Sequence, residues 1–370
     1  MTETDVLVVG TGPAGGMAAW MAAREGASVL VVDRKSVIGE PVRCAEGTFS
    51  SLLSLFDLQH GRWIANEYSG AIIRHAGMKD IRITPKKLKG VSLDRPLFEQ
   101  EICRRARDAG AEIMLGKTVT GMRDGGISLE DGTILSSKTV IGADGVESMI
   151  GRWAGILDPP NMGDIASAAQ YILEDGHWEA DMAELILGSD VAPNGYLWVF
   201  PKSRKRANVG AVTTPDSRRL AKDLLDNLIS ARFSDARIVG RSGGCVPVAP
   251  PLSTAIAGNV LLAGDSARFS SAFGAGGIHS ALFSGALAGR TAARYAAGKI
   301  SDMREYDTTW KKALYKNLAR SYRLKTRTYS SDRGMKRSLR LFRVGGMLIS
   351  HIPMDPMGFW WGRLDRYVQG

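Results

Sequence analysis

The chain opens on an apolar run of strand length, Asp5-Val6-Leu7-Val8-Val9, which stops at Gly10-Thr11-Gly12-Pro13-Ala14-Gly15. Small residues then recur at helical spacing, Ala14, Ala18, Ala19, Ala22 and Ala23, and predict a helix from about Pro13 to Glu25. A second apolar run, Ser28-Val29-Leu30-Val31-Val32, ends at Asp33. Strand, glycine turn, helix, strand and terminal acid predict the start of a parallel α/β sheet. Residues 71–84 alternate around Gly77 and read as a strand pair. Ser92-Leu93-Asp94-Arg95-Pro96 opens a second helix, with Pro96 in its first turn and Leu97, Phe98, Ile102 and Ala106 on its apolar face. Short strands follow from Glu112 to Ile141, with a hairpin turn at Glu130-Asp131-Gly132-Thr133. Thr139-Val140-Ile141 runs into Gly142-Ala143-Asp144-Gly145, and Ser148 starts a short helix to Trp153.

From about 155 to 250 the pattern changes to short strands and loops: Ile165–Leu173, Glu184–Leu187, Tyr196–Phe200 and Ala207–Val212, interrupted by one amphipathic helix at about 216–231. The parallel theme returns at Val260-Leu261-Leu262-Ala263, then Gly264-Asp265-Ser266-Ala267, a glycine-rich loop and a small-residue helix from about Ile278 to Ala297. The expected fold is α/β. A Rossmann-like dinucleotide-binding domain takes residues 1–155 and 256–300, including a small strand-rich part near 68–95. An inserted antiparallel-sheet domain takes 156–255, and a helical basic segment takes 301–370.

The glycine turn suits an adenine dinucleotide. Gly10 permits the tight turn, Gly12 lets backbone approach a pyrophosphate, and Gly15 allows close helix–strand packing. The helix starting at Pro13 offers free N–H groups to phosphate, and Asp33 can accept from a ribose. Asp265 can hold a polyol hydroxyl, and the amides of Gly277 and Ile278 favour an anion. Asp144-Gly145 at a strand's carboxyl end suits the same crevice, and is also an ordinary turn.

Three further features each carry two readings. Cys44 lies in Pro41-Val42-Arg43-Cys44-Ala45-Glu46-Gly47. It is either a small packed residue or a thiol whose pKa the adjacent cation lowers. Arg95 at a helix start opposes the dipole, so it answers either an external anion such as phosphate or a surface salt bridge. Tyr196, Trp198 and Phe200 share one face of a strand, as core or as the wall of a large apolar cavity.

Composition adds little to this: 370 residues, 44% hydrophobic and 23% charged, are ordinary for a globular protein. Three cysteines, Cys44, Cys103 and Cys245, make neither a disulfide framework nor a zinc spacing, so no metal is expected. The N-terminus enters a strand without a charged-then-apolar leader, and no apolar run reaches the roughly 18–20 residues of a membrane span. The expected location is cytoplasmic. Charge is informative, because the net +10 is concentrated: residues 301–370 hold 15 Lys and Arg against six Asp and Glu. Such a tail suits nucleic acid, an anionic membrane or an acidic redox partner. No RNA- or DNA-binding motif accompanies it, so nucleic acid is not expected.

Taken together, GTGPAG at 10–15, Asp33, PVRCAEG at 41–47, SLDRPLFEQEI from Ser92, IGADG at 141–145, YLWVFP at 196–201 and LLAGDSARFSSAFGAGGI at 261–278 form a resemblance. Over roughly residues 4–300 the chain resembles FAD-containing oxidoreductases of the glutathione-reductase and p-hydroxybenzoate-hydroxylase type, and within them the geranylgeranyl reductases. The resemblance implies FAD, with contacts to its ADP half at Ala14 and Asp33. Asp33 stands where Glu is more usual, which implies a longer or water-mediated ribose contact. Cys44, Ala45 and Gly47 match the loop passing the flavin, and Arg95 and Val119 match further contacts, Arg95 on the phosphate side. Asp265 matches the ribityl or pyrophosphate ligand, and Gly277 and Ile278 the amides near the flavin's N1–O2 edge. Gly10, Gly12, Pro13, Gly15, Arg34, Arg43, Asp144, Gly145, Gly264 and Gly276 lie in or beside the same motifs and complete the expected cofactor site.

The implied reaction is saturation of isolated C=C bonds in a prenyl chain, a hydride going to one carbon and a proton to the other. Cys44 is the candidate catalytic residue, with a tyrosine or a bound water as other proton sources. Tyr196, Trp198, Phe200 and Pro201 are the candidate substrate pocket. No second GxGxxG follows a strand, so reduced ferredoxin and NAD(P)H both stand as electron donor. An FAD-dependent monooxygenase of the same fold is the alternative reading. Lys311, Lys312, Lys316, Arg320, Arg323, Lys325 and Arg327, with no acid from Thr308 to Ser331, predict a basic helix face. With the apolar Val344–Ser350 run and Phe359, Trp360 and Trp361 between basic residues, the tail is expected to dock peripherally on an anionic membrane.

Overall fold

The computed structural model describes residues 4–85, 89–123, 126–159, 161–329 and 331–340. The expectations for Val344–Ser350 and for Phe359–Trp361 lie outside the described residues.

The first apolar runs become the middle of a parallel sheet. Val6–Val9 pair in parallel register with Val29–Val32 on one side and Thr139–Gly142 on the other. Val260–Leu262 add beyond Val140–Gly142, and Glu112–Leu115 beyond Leu30–Asp33. Val6–Val9, Val29–Val32 and Val260–Leu262 are buried on both faces, which is why their sequences are continuous rather than alternating. The turns at Gly10–Gly15 and Ala143–Gly145 leave neighbouring strands at the same carboxyl end, where such sheets open a crevice.

Close approach explains the small residues. The helix Pro13–Arg24 lies against the helix Ile278–Ala296. A Cβ on Gly285 would stand 2.2 Å from the Ala14 carbonyl oxygen, and one on Gly289 at 2.2 Å from that of Ala18. Only glycine lets these two backbones meet.

The second sheet has seven strands in the order Arg237–Pro247, Ile165–Glu174, Arg206–Thr213, Gly195–Pro201, Met182–Leu187, Gly70–His75, Ile81–Ile83. All its pairs are antiparallel except Met182–Leu187 with Gly70–His75. Residues 71–84 do form the expected strand pair, but they extend this second sheet rather than the first domain. The neighbouring Ile64–Tyr68 and Gly90–Leu93 form a separate three-stranded sheet with Gly47–Phe49. The helix expected from 216 begins at Ala221, because Pro215–Ser217 make a tight turn closed by Arg218 at φ +54°. That helix covers one face of the sheet, packing Leu224 and Leu225 on Leu173, Leu197, Val199 and Val209. The other face carries Tyr196, Trp198 and Phe200 toward the first domain.

Arg304–Trp310, a wider turn at Lys311–Tyr315, and Lys316–Tyr329 follow one another as the C-terminal helix. Asp307 fastens its start, accepting from Ala255 N at 2.9 Å, Trp310 Nε1 at 2.7 Å and Lys311 Nζ at 2.9 Å. Farther along, Ser321 Oγ accepts from Phe273 N at 2.9 Å, and Tyr329 donates to Phe273 O at 2.9 Å. Met335 and Leu339 then pack on Ile73, Ile81 and Leu187 of the second sheet. Among the described residues no helix is long and apolar enough to cross a membrane.

Candidate active site

The glycine turn is held from below. Asp33 is buried, and its carboxylate accepts from Thr11 N at 2.7 Å, Thr11 Oγ1 at 2.6 Å and Lys35 N at 2.9 Å. The acid expected to meet a ribose thus also fixes the turn's shape. Gly10 has φ +106°, and a Cβ there would stand 2.3 Å from Ala143 O. A Cβ on Gly15 would stand 1.8 Å from Gly10 O. Gly12 is different: among the described residues no atom lies within 4 Å of where its Cβ would be. Its absent side chain leaves open space in front of a helix N-terminus that no side chain caps. That is the room a pyrophosphate requires.

Asp144 caps the helix Met149–Trp153 through Met149 N at 2.8 Å and Ile150 N at 3.1 Å, and Ser266 Oγ donates to it at 3.1 Å. Ser266 in turn accepts from Gly145 N at 2.9 Å, tying the two candidate turns together. The Asp265 carboxylate accepts no hydrogen bond from a described side chain or amide, while its backbone carbonyl accepts from Arg268 N at 3.0 Å. Burial pushes its carboxyl up to about 6, with the Arg95 charge acting the other way. A Cβ on Gly277 would stand 3.0 Å from Asp265 Oδ1, so the acid sits beside the uncapped start of the helix at Ile278.

Arg95 is not on the surface. It ion-pairs with Glu99, which is buried, while the Arg95 side chain keeps 11% exposure. Lys35 Nζ also lies 3.7 Å from Glu99. The Arg95 Nε–H is buried without a partner, the kind of orphan a ligand satisfies. The open cradle at Gly12, the unpartnered Asp265 and the orphan at Arg95 together fit an FAD lying along the crevice. Other expected contacts stand farther out. Arg34 is exposed and 3.5 Å from Glu147. Val119 is half-buried and packs against the first core.

Asp265→Asn is expected to separate cofactor binding from stability. A carboxyl whose pKa is raised on folding contributes full stability below its unfolded pKa and loses it as pH rises through about 6. The asparagine should therefore raise the unfolding temperature of FAD-free protein at pH 8 and leave it unchanged near pH 4. Asp265→Ala should weaken FAD binding by about 1.5–3 kcal/mol, the worth of a charge-assisted hydrogen bond. Titration calorimetry and thermal unfolding at the two pH values check both.

The Cys44 loop corrects one expectation. Arg43 is exposed, its Cβ 3.2 Å from where Gly244 would carry its own. The cation acting on Cys44 is Arg95, and burial outweighs it, so the thiol is pushed up rather than down. Cys44 is thus poised as a protonated thiol. Its Sγ accepts from Glu46 N at 3.3 Å.

Glu46, which the sequence reading passed over, is the hub of this loop. It is 1% exposed and sits at φ +69°. Its carboxylate accepts from Lys202 Nζ at 2.9 Å on each oxygen, from Asn208 Nδ2 at 3.1 Å and from Arg95 N at 3.2 Å. The available signal was a single acid in a loop of small residues, followed at distance by a lysine directly after YLWVFP.

The aromatic strand packs against the Cys44 loop. Tyr196 and Trp198 rings lie 6.1 Å apart, Trp198 and Phe200 6.4 Å, and Phe200 and Tyr68 6.5 Å. A Cβ on Gly47 would stand 2.9 Å from the Phe200 ring, and Ala45 joins the same cluster. Trp198 is 2% exposed, and its Nε1 donates to Asn208 Oδ1 at 2.9 Å. Tyr196 donates to Gly274 O at 2.8 Å, reaching the loop before Gly277. Pro201 is buried, and its carbonyl accepts from Tyr68 OH at 2.9 Å. An apolar aromatic face therefore meets the Cys44 loop and the glycine-rich loop together.

Residues 164–246 match the geranylgeranyl reductase catalytic domain family, and residues 5–123 match the FAD dependent oxidoreductase family. The chain is 36% identical over 341 residues to digeranylgeranylglycerophospholipid reductase of Methanothrix thermoacetophila, covering 87% of this chain and 86% of that one. Among solved structures it superposes on a geranylgeranyl bacteriochlorophyll reductase-like protein of Thermoplasma acidophilum with a TM-score of 0.86 at 28% identity, over 100% and 99% of the two chains. A probable FAD-dependent monooxygenase of Pseudomonas aeruginosa shares the fold, with a TM-score of 0.72 at 15% identity over 92% and 100%.

Proposed function

The chain belongs to the geranylgeranyl reductase family of flavoproteins, and from that premise we propose that it is an FAD-dependent reductase saturating isolated C=C bonds of geranylgeranyl chains in archaeal-type prenyl lipids. The observation that carries this reading is the aromatic face of Tyr196, Trp198 and Phe200 seated against the Cys44–Gly47 loop. When bound, FAD supplies a hydride. The chain's own task is to hold an unactivated alkene in near-attack geometry in a dry, apolar slot and to deliver a proton. The amides of Gly277 and Ile278, at an uncapped helix start, favour negative charge beside them. Turnover under strictly anaerobic conditions with dithionite as reductant tests the reading, and a strict requirement for oxygen would support the monooxygenase alternative instead.

Cys44 is the proposed proton donor, a half-buried thiol kept protonated by desolvation beside the proposed prenyl wall. Cys44→Ser is expected to keep FAD and slow product formation by about tenfold or more, on the scale of a lost general acid. Unchanged turnover in steady-state assays would return Cys44 to a packing role. Reduced ferredoxin and NAD(P)H are both compatible donors, and single-turnover reduction by each distinguishes them.

We further propose that the basic C-terminal helix docks the enzyme on an anionic membrane face, where a prenyl lipid resides. Two of the seven expected bases are engaged within the protein: Lys311 pairs with Asp307 at 2.9 Å, and Lys325 donates to Val248 O at 2.9 Å. Burial lowers the Lys325 pKa. Lys312, Lys316, Arg323 and Arg327 are exposed, and Arg333, Arg337 and Arg340 continue the charge. Each base near an anionic surface is worth about 1 kcal/mol. Flotation with anionic liposomes should therefore succeed at low salt and fail at high salt. Equal partitioning with neutral liposomes, or none, contradicts electrostatic docking.

A further inference from the structure

One buried ion pair joins the two sides of the site. The turn Lys202-Ser203-Arg204-Lys205 connects two strands of the second sheet and holds three bases. Arg204 and Lys205 are exposed, whereas Lys202 folds back, with its side chain 14% exposed. Its Nζ reaches both oxygens of Glu46, a residue of the Cys44 loop and therefore of the other side of the site. Asn208, from the next strand, closes the arrangement. Its Nδ2 donates to Glu46, and its Oδ1 receives the Trp198 indole N–H. Glu46 itself is fixed from behind by Leu93 N, which donates to its carbonyl at 2.8 Å. The left-handed backbone at Glu46 is costly for a residue with a side chain, and it persists only where surroundings over-determine it. One carboxylate thus determines both where Cys44 stands, through the adjoining backbone, and where Trp198 stands, through Asn208.

We propose that Glu46, Lys202 and Asn208 are positioning residues, a latch that registers the Cys44 loop against the aromatic strand so that the proton-donor side and the prenyl side of the site keep one fixed spacing. This rests on the reading of that loop as the flavin side. Breaking a buried pair by removing one partner leaves the other charge uncompensated, so the loop is expected to shift when Lys202 is lost. Glu46, Lys202 and Asn208 act as one unit, so their removals should not add.

The test uses the full chain loaded with FAD, as parent, Lys202→Met, Lys202→Arg, Glu46→Gln and the Glu46→Gln/Lys202→Met double variant. Two quantities are read: the rate of Cys44 alkylation by iodoacetamide, located by peptide mass mapping, and the distribution of partly and fully saturated prenyl products. In Lys202→Met, Cys44 alkylation should change by about fivefold or more and partly saturated products should accumulate; Lys202→Arg should restore most of both, and the double variant should be no worse than the more affected single one. Asn208→Ala, which removes only one arm, provides the same readings if Lys202→Met does not fold. Alkylation within twofold of the parent, or strictly additive effects, overturns the latch. If alkylation responds as expected but no variant nor the parent reduces a prenyl lipid, the latch stands and the proposed reaction fails.

Discussion

Gly12→Ala and Gly15→Ala, three residues apart in one turn, are expected to fail in opposite ways. A methyl on Gly15 meets the Gly10 carbonyl oxygen at 1.8 Å and the Ala143 side chain at 3.2 Å. The nearest obstacle is backbone, so the strand–helix turn itself must open, at a cost of about 3 kcal/mol or more. The variant should lose thermal stability with and without cofactor. A methyl on Gly12 meets nothing within 4 Å among the described residues. Its FAD-free stability should stay within about 1 kcal/mol of the parent, the range of a helix-cap change. FAD affinity should nevertheless fall sharply, because the space it fills is the space proposed for the pyrophosphate. Thermal unfolding with and without FAD, together with the bound flavin spectrum, separates the two. A Gly12→Ala protein that keeps full FAD occupancy would place the cofactor elsewhere.

Trp198→Ala has the second large effect. The indole is buried between Val212, Val248 and Ala272, and removing it should destabilise the protein by about 3–5 kcal/mol. It also strips Asn208 of a donor, loosening the group that holds Glu46. Trp198→Phe keeps most of the apolar area while losing that hydrogen bond, so it should fold and still shift chain-length preference or the number of bonds reduced. If Trp198→Phe yields the parental product distribution, the tryptophan serves the core alone. Gly210 offers an independent approach, since a Cβ there would stand 2.1 Å from the indole ring.

The elements legible in the sequence were those whose burial leaves a simple signature. Strands buried on both faces read as unbroken runs at Val6–Val9 and Val29–Val32, and Pro96 two residues past Asp94 marked a helix start that the structure caps through Asp94. The edge strand Arg237–Pro247 did not read as a strand, because it is half-buried to exposed along nearly its whole length and holds three glycines. Its extended backbone is dictated by pairing with Ile165–Glu174, a tertiary fact with no local pattern. The same applies to Gly70–His75, whose alternation fits any half-buried sheet. Only its parallel partner, Met182–Leu187, assigns it to the second one.

At the site, glycines and acids of the dinucleotide turns were legible because their spacing is set by phosphate geometry. The Arg95 environment was half legible: the dipole conflict was visible, but its answer is Glu99, one helical turn on and buried. The direction of the Cys44 shift was not legible, since sequence neighbourhood pointed to Arg43 while the fold exposes that residue and desolvates the thiol. Glu46 and Lys202 are 156 residues apart, and only the fold brings them together.

The most direct measurement is mass spectrometry of a digeranylgeranyl glycerophospholipid after anaerobic incubation with the dithionite-reduced, FAD-loaded enzyme. The expected result is a ladder of products, each saturated bond adding two hydrogens, absent without enzyme and diminished in Cys44→Ser. An unchanged lipid in the presence of fully reduced, flavin-loaded protein, or a product heavier by oxygen once air is admitted, would contradict the assignment.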